Sequence, residues 1–221
     1  MAAYDLEEQE QLDELKTWWK MHGNLVTGIM VVLALAVVGW QGWNWWQRQQ
    51  SAQASALYSG VQTAVIQKDA KRARELAGEL IEKYSSTTYA GMGAMLAARV
   101  QADAGDPKNA RAQLAWAAEN AKDPGLRELA RLRLASLMLD EKAYDEAMKQ
   151  LAAEPAASFA PRFGELRGDI LAAQGKLAES RAAYDAALAK FDLLAKDDEA
   201  RQRNGYREVV QTKRDALGAG K

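Results

Sequence analysis

Between Met21 and Gln47 the chain places no aspartate, glutamate, lysine or arginine, and the centre of that run, Leu25 to Trp40, reads LVTGIMVVLALAVVGW. An unbroken apolar run of this kind predicts a membrane-crossing helix rather than a half-buried strand. A helix from Leu25 to Trp46 would be roughly 33 Å long at about 1.5 Å per residue, enough to cross a hydrocarbon core of about 30 Å. Valine and isoleucine are indifferent helix formers in water. In lipid, however, every backbone group must pair internally, so helix is the expected state. The rival reading is a cleavable signal peptide, which wants a basic start and a shorter apolar run. Here the start is acidic, and the nearest small-x-small stretch, Ala52-Gln53-Ala54, lies beyond WNWWQRQQ. The segment is therefore expected to stay as an anchor over residues 24–47, behind a tail of residues 1–23.

From residue 51 onward the pattern becomes one helix after another, with no alternating strand signature. Short turn signals separate the helices: Lys68-Asp69, Ser85 to Thr88, Gly105-Asp106-Pro107, Lys122 to Gly125, Glu154-Pro155 and Gly175-Lys176. Small residues at the start of every second helix fall at Ala73, Ala110, Ala147 and Ser180, spaced by 37, 37 and 33. That spacing is close to the period of about 34 residues of tetratricopeptide repeats. The best copy runs from Phe163 to Phe191, with Gly168 where helices cross, Gly175 at the turn, and Tyr184, Ala187 and Leu188 at the aromatic, small and apolar positions. A third copy carries Leu134, Ala135 and Tyr144 to Ala147; a second carries Ala98, Gly105, Ala110, Leu114 and Ala117; the first, Leu57 to Tyr84, is degenerate. Residues 198–217 read as a polar closing helix whose Tyr206, Val209 and Val210 cover the last repeat while its charges face water. The expected fold is all-α: a single N-terminal transmembrane helix, then a tetratricopeptide-like solenoid over residues 48–221.

Aromatic composition sharpens the membrane reading. Trp18 and Trp19 flank one end of the apolar run, and Trp40, Trp43, Trp45 and Trp46 crowd the other. An indole prefers the headgroup level, with its ring in the acyl boundary and its N–H hydrogen-bonded, so these six are expected at the two membrane interfaces. The second belt is larger than depth-setting requires, and Gly28, Gly39 and Gly42 leave flat places where another helix could approach. A belt alone and a belt with a membrane partner both stand at this point. Lys16 and Lys20 against Arg48 lean the N-terminus towards the cytoplasm only slightly.

The charge balance adds exclusions. A net formal charge of −1 hides an acidic start, with Asp5, Glu7, Glu8, Glu10, Asp13 and Glu14 against two lysines. No basic stripe with interleaved aromatics appears, which disfavours nucleic acid. The chain has no cysteine and one histidine, His22, so thiolate chemistry, disulfides and cysteine zinc sites are excluded. His22 stands between Met21 and Gly23 without a nucleophile beside it, and no phosphate loop, dinucleotide fingerprint or zinc-protease motif occurs. Asp197-Asp198 and Asp145-Glu146 fall where capping and dipole complementation explain acids. No catalytic residue, cofactor or metal is expected.

A binding surface is expected instead. In such a solenoid the first helix of each pair lines the concave face, and the repeat register places Met92, Met95, Arg99, Leu129, Leu132, Ser136, Leu139, Arg162, Glu165 and Asp169 there. Their methionine and leucine members suit an adaptable apolar groove for a peptide or partner helix. A register shifted by one position would instead put them in the core. In the tail, Leu12, Leu15 and Trp19 share one face of a short helix, which either continues the membrane helix or forms a cytoplasmic contact site.

Three stretches taken in order, EEQEQLDELKTWWKMHG, an anchor ending in GWQGWNWW, and LRGDILAAQGKLAESRAAYDAAL, resemble the YfgM family of ancillary SecYEG translocon subunits. The resemblance runs nearly the full length and is weakest between Ala52 and about Asp123. It implies a bacterial inner-membrane protein, single-pass, with a cytoplasmic N-terminus and a periplasmic repeat domain. It further implies association with SecYEG and with a PpiD-like membrane chaperone, and a role linking translocating polypeptides to periplasmic chaperones. An alternative it carries is regulation of a stress-response pathway, in which the cytoplasmic tail restrains a response regulator.

Overall fold

The computed structural model describes residues 2–194 and 200–218, with side chains over 11–194 and 205–218. The chain divides into two compact units, Met1–Gln50 and Ser51–Lys221. Helix α1, Ala2–Ile66, supplies the described residues of the first unit and, from Ser51 on, the first helix of the second.

In the first unit, α1 carries the apolar run, and among the described residues it is the helix long and apolar enough to cross a membrane. Ile29, Val32, Leu35 and Val38 are all exposed. So are Trp18, Trp19, Trp40, Trp43, Trp45 and Trp46. At roughly 100° per residue the last four spread around the helix instead of sharing one side. Trp43 and Trp46 nevertheless lie one turn apart, ring centroids 5.4 Å from each other. At the other end Trp18 stacks on His22 at 5.3 Å, and His22 Nδ1 lies 3.2 Å from the Trp18 carbonyl oxygen. The acids of residues 1–10 belong to side chains outside the described set.

The second unit is a stack of helix pairs. The end of α1 pairs with α2 (Ala70–Tyr84), α3 (Thr88–Asp103) with α4 (Pro107–Asn120), α5 (Pro124–Asp140) with the short α6 (Tyr144–Gln150), and α7 (Ala160–Ala173) with α8 (Leu177–Leu194); α9 (Ala200–Ala216) closes the stack. The expected closing helix thus begins at Ala200, and residues 198 and 199 lie outside the described residues. Among the described residues every regular element is a helix.

The repeat register is written into the turns. Lys68, Gly105, Lys142 and Gly175 all have positive φ, between 56° and 79°. In each case the next residue's N–H reaches back five positions: Asp69 to Ala64, Asp106 to Gln101, Ala143 to Met138 and Lys176 to Leu171, at 2.8–2.9 Å. These are left-handed helix caps that satisfy otherwise orphaned carbonyls. Two of the caps are followed at once by an N-cap, Asp69 accepting from the Arg72 N–H and Asp106 from that of Asn109. Five residues past each left-handed residue stands one of the small positions, and Ala73, Ala110, Ala147 and Ser180 are all fully buried. Ser180 satisfies its hydroxyl by donating to the Gly168 carbonyl at 2.7 Å.

Close approach explains the glycine at the best-preserved crossing. A Cβ built on Gly168 would sit 2.4 Å from the Tyr184 ring, so α7 and α8 meet there only because residue 168 has no side chain. The core that results is rich in alanine around a few large groups, Leu80, Leu134, Leu151, Phe163 and Ile170. It runs from the end of α1 through α7, and a smaller cluster of Tyr184, Leu188, Phe191 and Val210 joins α8 to α9.

The closing helix departs from expectation in two ways. Val210 is fully buried and Tyr206 packs on Phe191 at 5.6 Å, but Val209 is exposed. Residues 206, 210 and 213 share one helical face, at i, i+4 and i+7, and Val209 falls off it. Lys213 is on that face too, so this charge turns inward instead of towards water.

Candidate binding clefts

The first helices of successive pairs present matching positions. Met92, Met95 and Arg99 on α3, Leu129, Leu132 and Ser136 on α5, and Arg162, Glu165 and Asp169 on α7 stand at i, i+3 and i+7 within each helix, which places each trio on one face. Along the last column the residue changes from Arg99 to Ser136 to Asp169, so this face turns from basic to acidic along the stack.

Two adjoining clefts open on it. One, of about 370 Å³, lies between α3 and α5 with a wall from α4, and is lined by Met95, Ala98, Arg99, Ala102, Leu114, Arg133, Ser136, Leu137 and Asp140. The other, of about 310 Å³, lies between α5 and α7 and is bounded by α9; Leu129, Leu132, Arg133, Ser136, Arg162, Glu165, Leu166, Asp169 and Tyr206 line it. Arg133 and Ser136 belong to both. Eight of the ten expected groove residues therefore line one cleft or the other. Met92 is half-buried outside both linings, and Leu139 packs against the main core. Met95 and Leu132 do two jobs, since they are core members whose remaining surface forms cleft floor. The apolar residues of the face are thus drawn inward, and its polar residues face the clefts.

The acidic end is already engaged. Glu165 is buried, and its Oε1 accepts from Lys213 Nζ at 2.8 Å while the Tyr206 hydroxyl donates to its Oε2. Lys213 also donates to both carboxylate oxygens of Asp169, at 2.9 and 2.8 Å, and Tyr184 donates to Asp169 Oδ1 at 2.7 Å. The Arg162 guanidinium lies over the Tyr206 ring, 4.5 Å from its centroid. Burial works against the Lys213 ammonium, but its bonds to Asp169 and Glu165 outweigh burial and hold its pKa above the ordinary value. Burial, reinforced by the neighbouring carboxylate, pushes the Tyr184 and Tyr206 phenols well up. All three groups are held in the proton-bearing form, and the network fastens α9 to α7.

The basic cleft is different. Desolvation by the surrounding protein, then the like charge of Arg99, pulls the Arg133 guanidinium below its ordinary pKa. Arg99 lies 4.0 Å from Asp103 of its own helix, with both side chains largely exposed. Among the described residues no carboxylate forms an ion pair with Arg133, and none is grouped with other acids or histidines so as to hold a metal ion. Sequence reasoning named Arg99 and Ser136 but missed Arg133, which stands at the position that Leu96 and Leu166 occupy in neighbouring repeats. It also missed Lys213, whose partners lie more than forty residues away.

A family model described as a tetratricopeptide repeat-like domain matches residues 16–219. A Neisseria gonorrhoeae protein named ancillary SecYEG translocon subunit is 31% identical over 98% of this chain and 100% of its own length. Proteins of the same name from Haemophilus influenzae and Escherichia coli K12 are 30% and 26% identical, each over 84% of this chain and over 90% and 89% of their own lengths. An anchor-like helix, a helical-repeat unit and end-to-end similarity agree, and the chain belongs to the tetratricopeptide repeat-like family of ancillary SecYEG translocon subunits.

Proposed function

We propose that this chain is a non-enzymatic, membrane-anchored scaffold at the SecYEG translocon. Helix α1 crosses the inner membrane once, with the tail in the cytoplasm and the repeat unit in the periplasm. The repeat unit holds periplasmic chaperones, a PpiD-like membrane chaperone among them, beside polypeptides leaving the translocon. Such a scaffold makes and breaks no bond; it acts by raising the effective concentration of chaperone near its client. The observation that carries the reading is the end-to-end match to the Neisseria relative, in a chain that exposes an apolar helix and a cleft-bearing repeat face. Purifying the intact protein from membranes in mild detergent tests it. SecYEG and a PpiD-like protein are expected to co-purify, and a preparation containing neither refutes the scaffold.

A second reading, regulation of a stress response through the tail, is favoured by the exposure of Leu12, Leu15 and Trp19. Removing residues 1–15 with the anchor kept should then alter a stress-response reporter. An unchanged reporter removes that reading.

A further inference from the structure

We propose that the cleft between α3 and α5 docks an acidic polypeptide segment that inserts an apolar side chain and sets carboxylates against Arg99 and Arg133. This rests on the scaffold reading and assigns one class of partner segment to one part of its face.

The neighbouring cleft shows how side chains from a flanking helix engage this surface. There α9 packs on α8 through Val210, sets the Tyr206 ring at the cleft wall, and places the Lys213 cation on the carboxylates of Glu165 and Asp169. Apolar burial supplies the contact area and a charge-assisted hydrogen bond supplies the register. One pair along the stack the surface offers the same elements with the charge reversed. Met95, Ala98 and Leu114 form an apolar floor in which each is less than a tenth exposed, and Leu137 adds a half-buried wall. Above it stand two guanidiniums, on α3 and α5, in place of two carboxylates.

Charge decides the partner. Asp140 is the one acid among the lining residues, against two arginines. Asp103 lies near Arg99, but at 4.0 Å in water such a pair contributes little. Arg133 is the more telling group: exposed on α5, it lines both clefts, no carboxylate among the described residues pairs with it, and beside the like charge of Arg99 it gains from any carboxylate brought to it. Guanidinium forks suit carboxylates in bidentate geometry, and the floor beneath rewards a leucine or phenylalanine next to the acid. A basic segment would meet like charge, and a purely polar one would leave the floor wet.

The test uses the full-length protein in nanodiscs of phosphatidylcholine and fluorescent peptides that share leucine and phenylalanine anchors, flanked by glutamate, serine or lysine. Anisotropy is expected to rank them glutamate, serine, lysine, with at least about tenfold between first and last, and with the glutamate affinity falling as salt rises. Charge reversal in R99E/R133E should invert the order of the glutamate and lysine peptides. Ser136→Trp, at an exposed position between the clefts, should block all three without altering charge. Equal binding of the glutamate and lysine peptides, no binding of any peptide, or an order unchanged by the reversal overturns the proposal. So does displacement of the glutamate peptide by phosphatidylglycerol vesicles as effectively as by excess peptide, since the cleft would then read lipid headgroups. The scaffold is judged separately on the same preparations: SecYEG recovered without the peptide order leaves the scaffold and rejects the cleft, and the converse does the opposite.

Discussion

The two units of this molecule are built from much the same small and aliphatic residues and use them in opposite ways. In the first, leucine, valine and tryptophan stand exposed along α1 and the glycines of the apolar run have no neighbour: a Cβ on Gly28, Gly39 or Gly42 would meet nothing within 4 Å. In the second, alanine or serine is buried at every small position and the glycine of the best-preserved crossing marks contact, with Tyr184 against Gly168. A helix in lipid needs apolar surface outward and internally paired backbone, because lipid supplies no hydrogen bonds. A stacked helix pair in water needs its apolar surface inward at close range, and small residues set that range. Identical chemistry is therefore read by two solvents, and substitutions should separate them.

The largest expected effect is in the span. Arginine at two central positions, L33R/V37R, should cost roughly 5–7 kcal/mol of insertion and empty the membrane fraction after carbonate extraction. Folding of the repeat unit, read by its resistance to proteolysis, should be unaffected. Next comes a matched pair, the same substitution in each region. Gly168→Leu forces a side chain into the Tyr184 ring and should lose about 3 kcal/mol in urea unfolding, whereas Gly28→Leu should change neither unfolding nor insertion. If Gly28→Leu abolishes recovery of SecYEG while insertion persists, the flat face of α1 is a helix contact and the span does more than anchor.

A smaller effect is expected at α9. Lys213→Met leaves Glu165 and Asp169 without their cation and should cost about 2 kcal/mol at neutral pH. In the native protein the pKa values of Lys213, Tyr184 and Tyr206 are all raised on folding. The stability these groups contribute is therefore fully present below their unfolded values and lost as pH rises through the folded ones. Docking of α9 should accordingly hold from neutral pH to about pH 10 and weaken progressively above it, as amide exchange in α9 would report. The smallest change expected is a gain. Lys142 holds a left-handed φ of 61° that glycine adopts freely, so Lys142→Gly should stabilise by about 0.5 kcal/mol.

That last site shows where sequence reading stops. Gly105 and Gly175 announce their turns, because glycine is the usual residue at positive φ. Lys68-Asp69 reads as a turn but not as a left-handed one, and Lys142 marks no turn at all; both take positive φ, held by the hydrogen bonds from Asp69 to Ala64 and from Ala143 to Met138. The repeat was legible through Ala73, Ala110, Ala147 and Ser180, since a small residue at a crossing is a local requirement with a fixed period. The clefts were legible only in part. Helical spacing put Arg99, Ser136, Arg162 and Asp169 on one face, but which of them meets a partner within the chain depends on Lys213 and Tyr206. A lysine in a polar helix gives no sign in sequence that it will turn inward, and Arg133 carries no mark that distinguishes it from a solvated charge.

The central claim is that the cleft-bearing face of the repeat unit is what the membrane anchor presents to partners at the translocon. Photocrosslinking in intact membranes tests it directly, with the reactive side chain placed either at Ser136, between the clefts, or at Glu119, exposed on α4. Adducts to SecYEG, a chaperone or a translocating polypeptide from position 136 and not from 119 are the predicted result; adducts confined to position 119 contradict it.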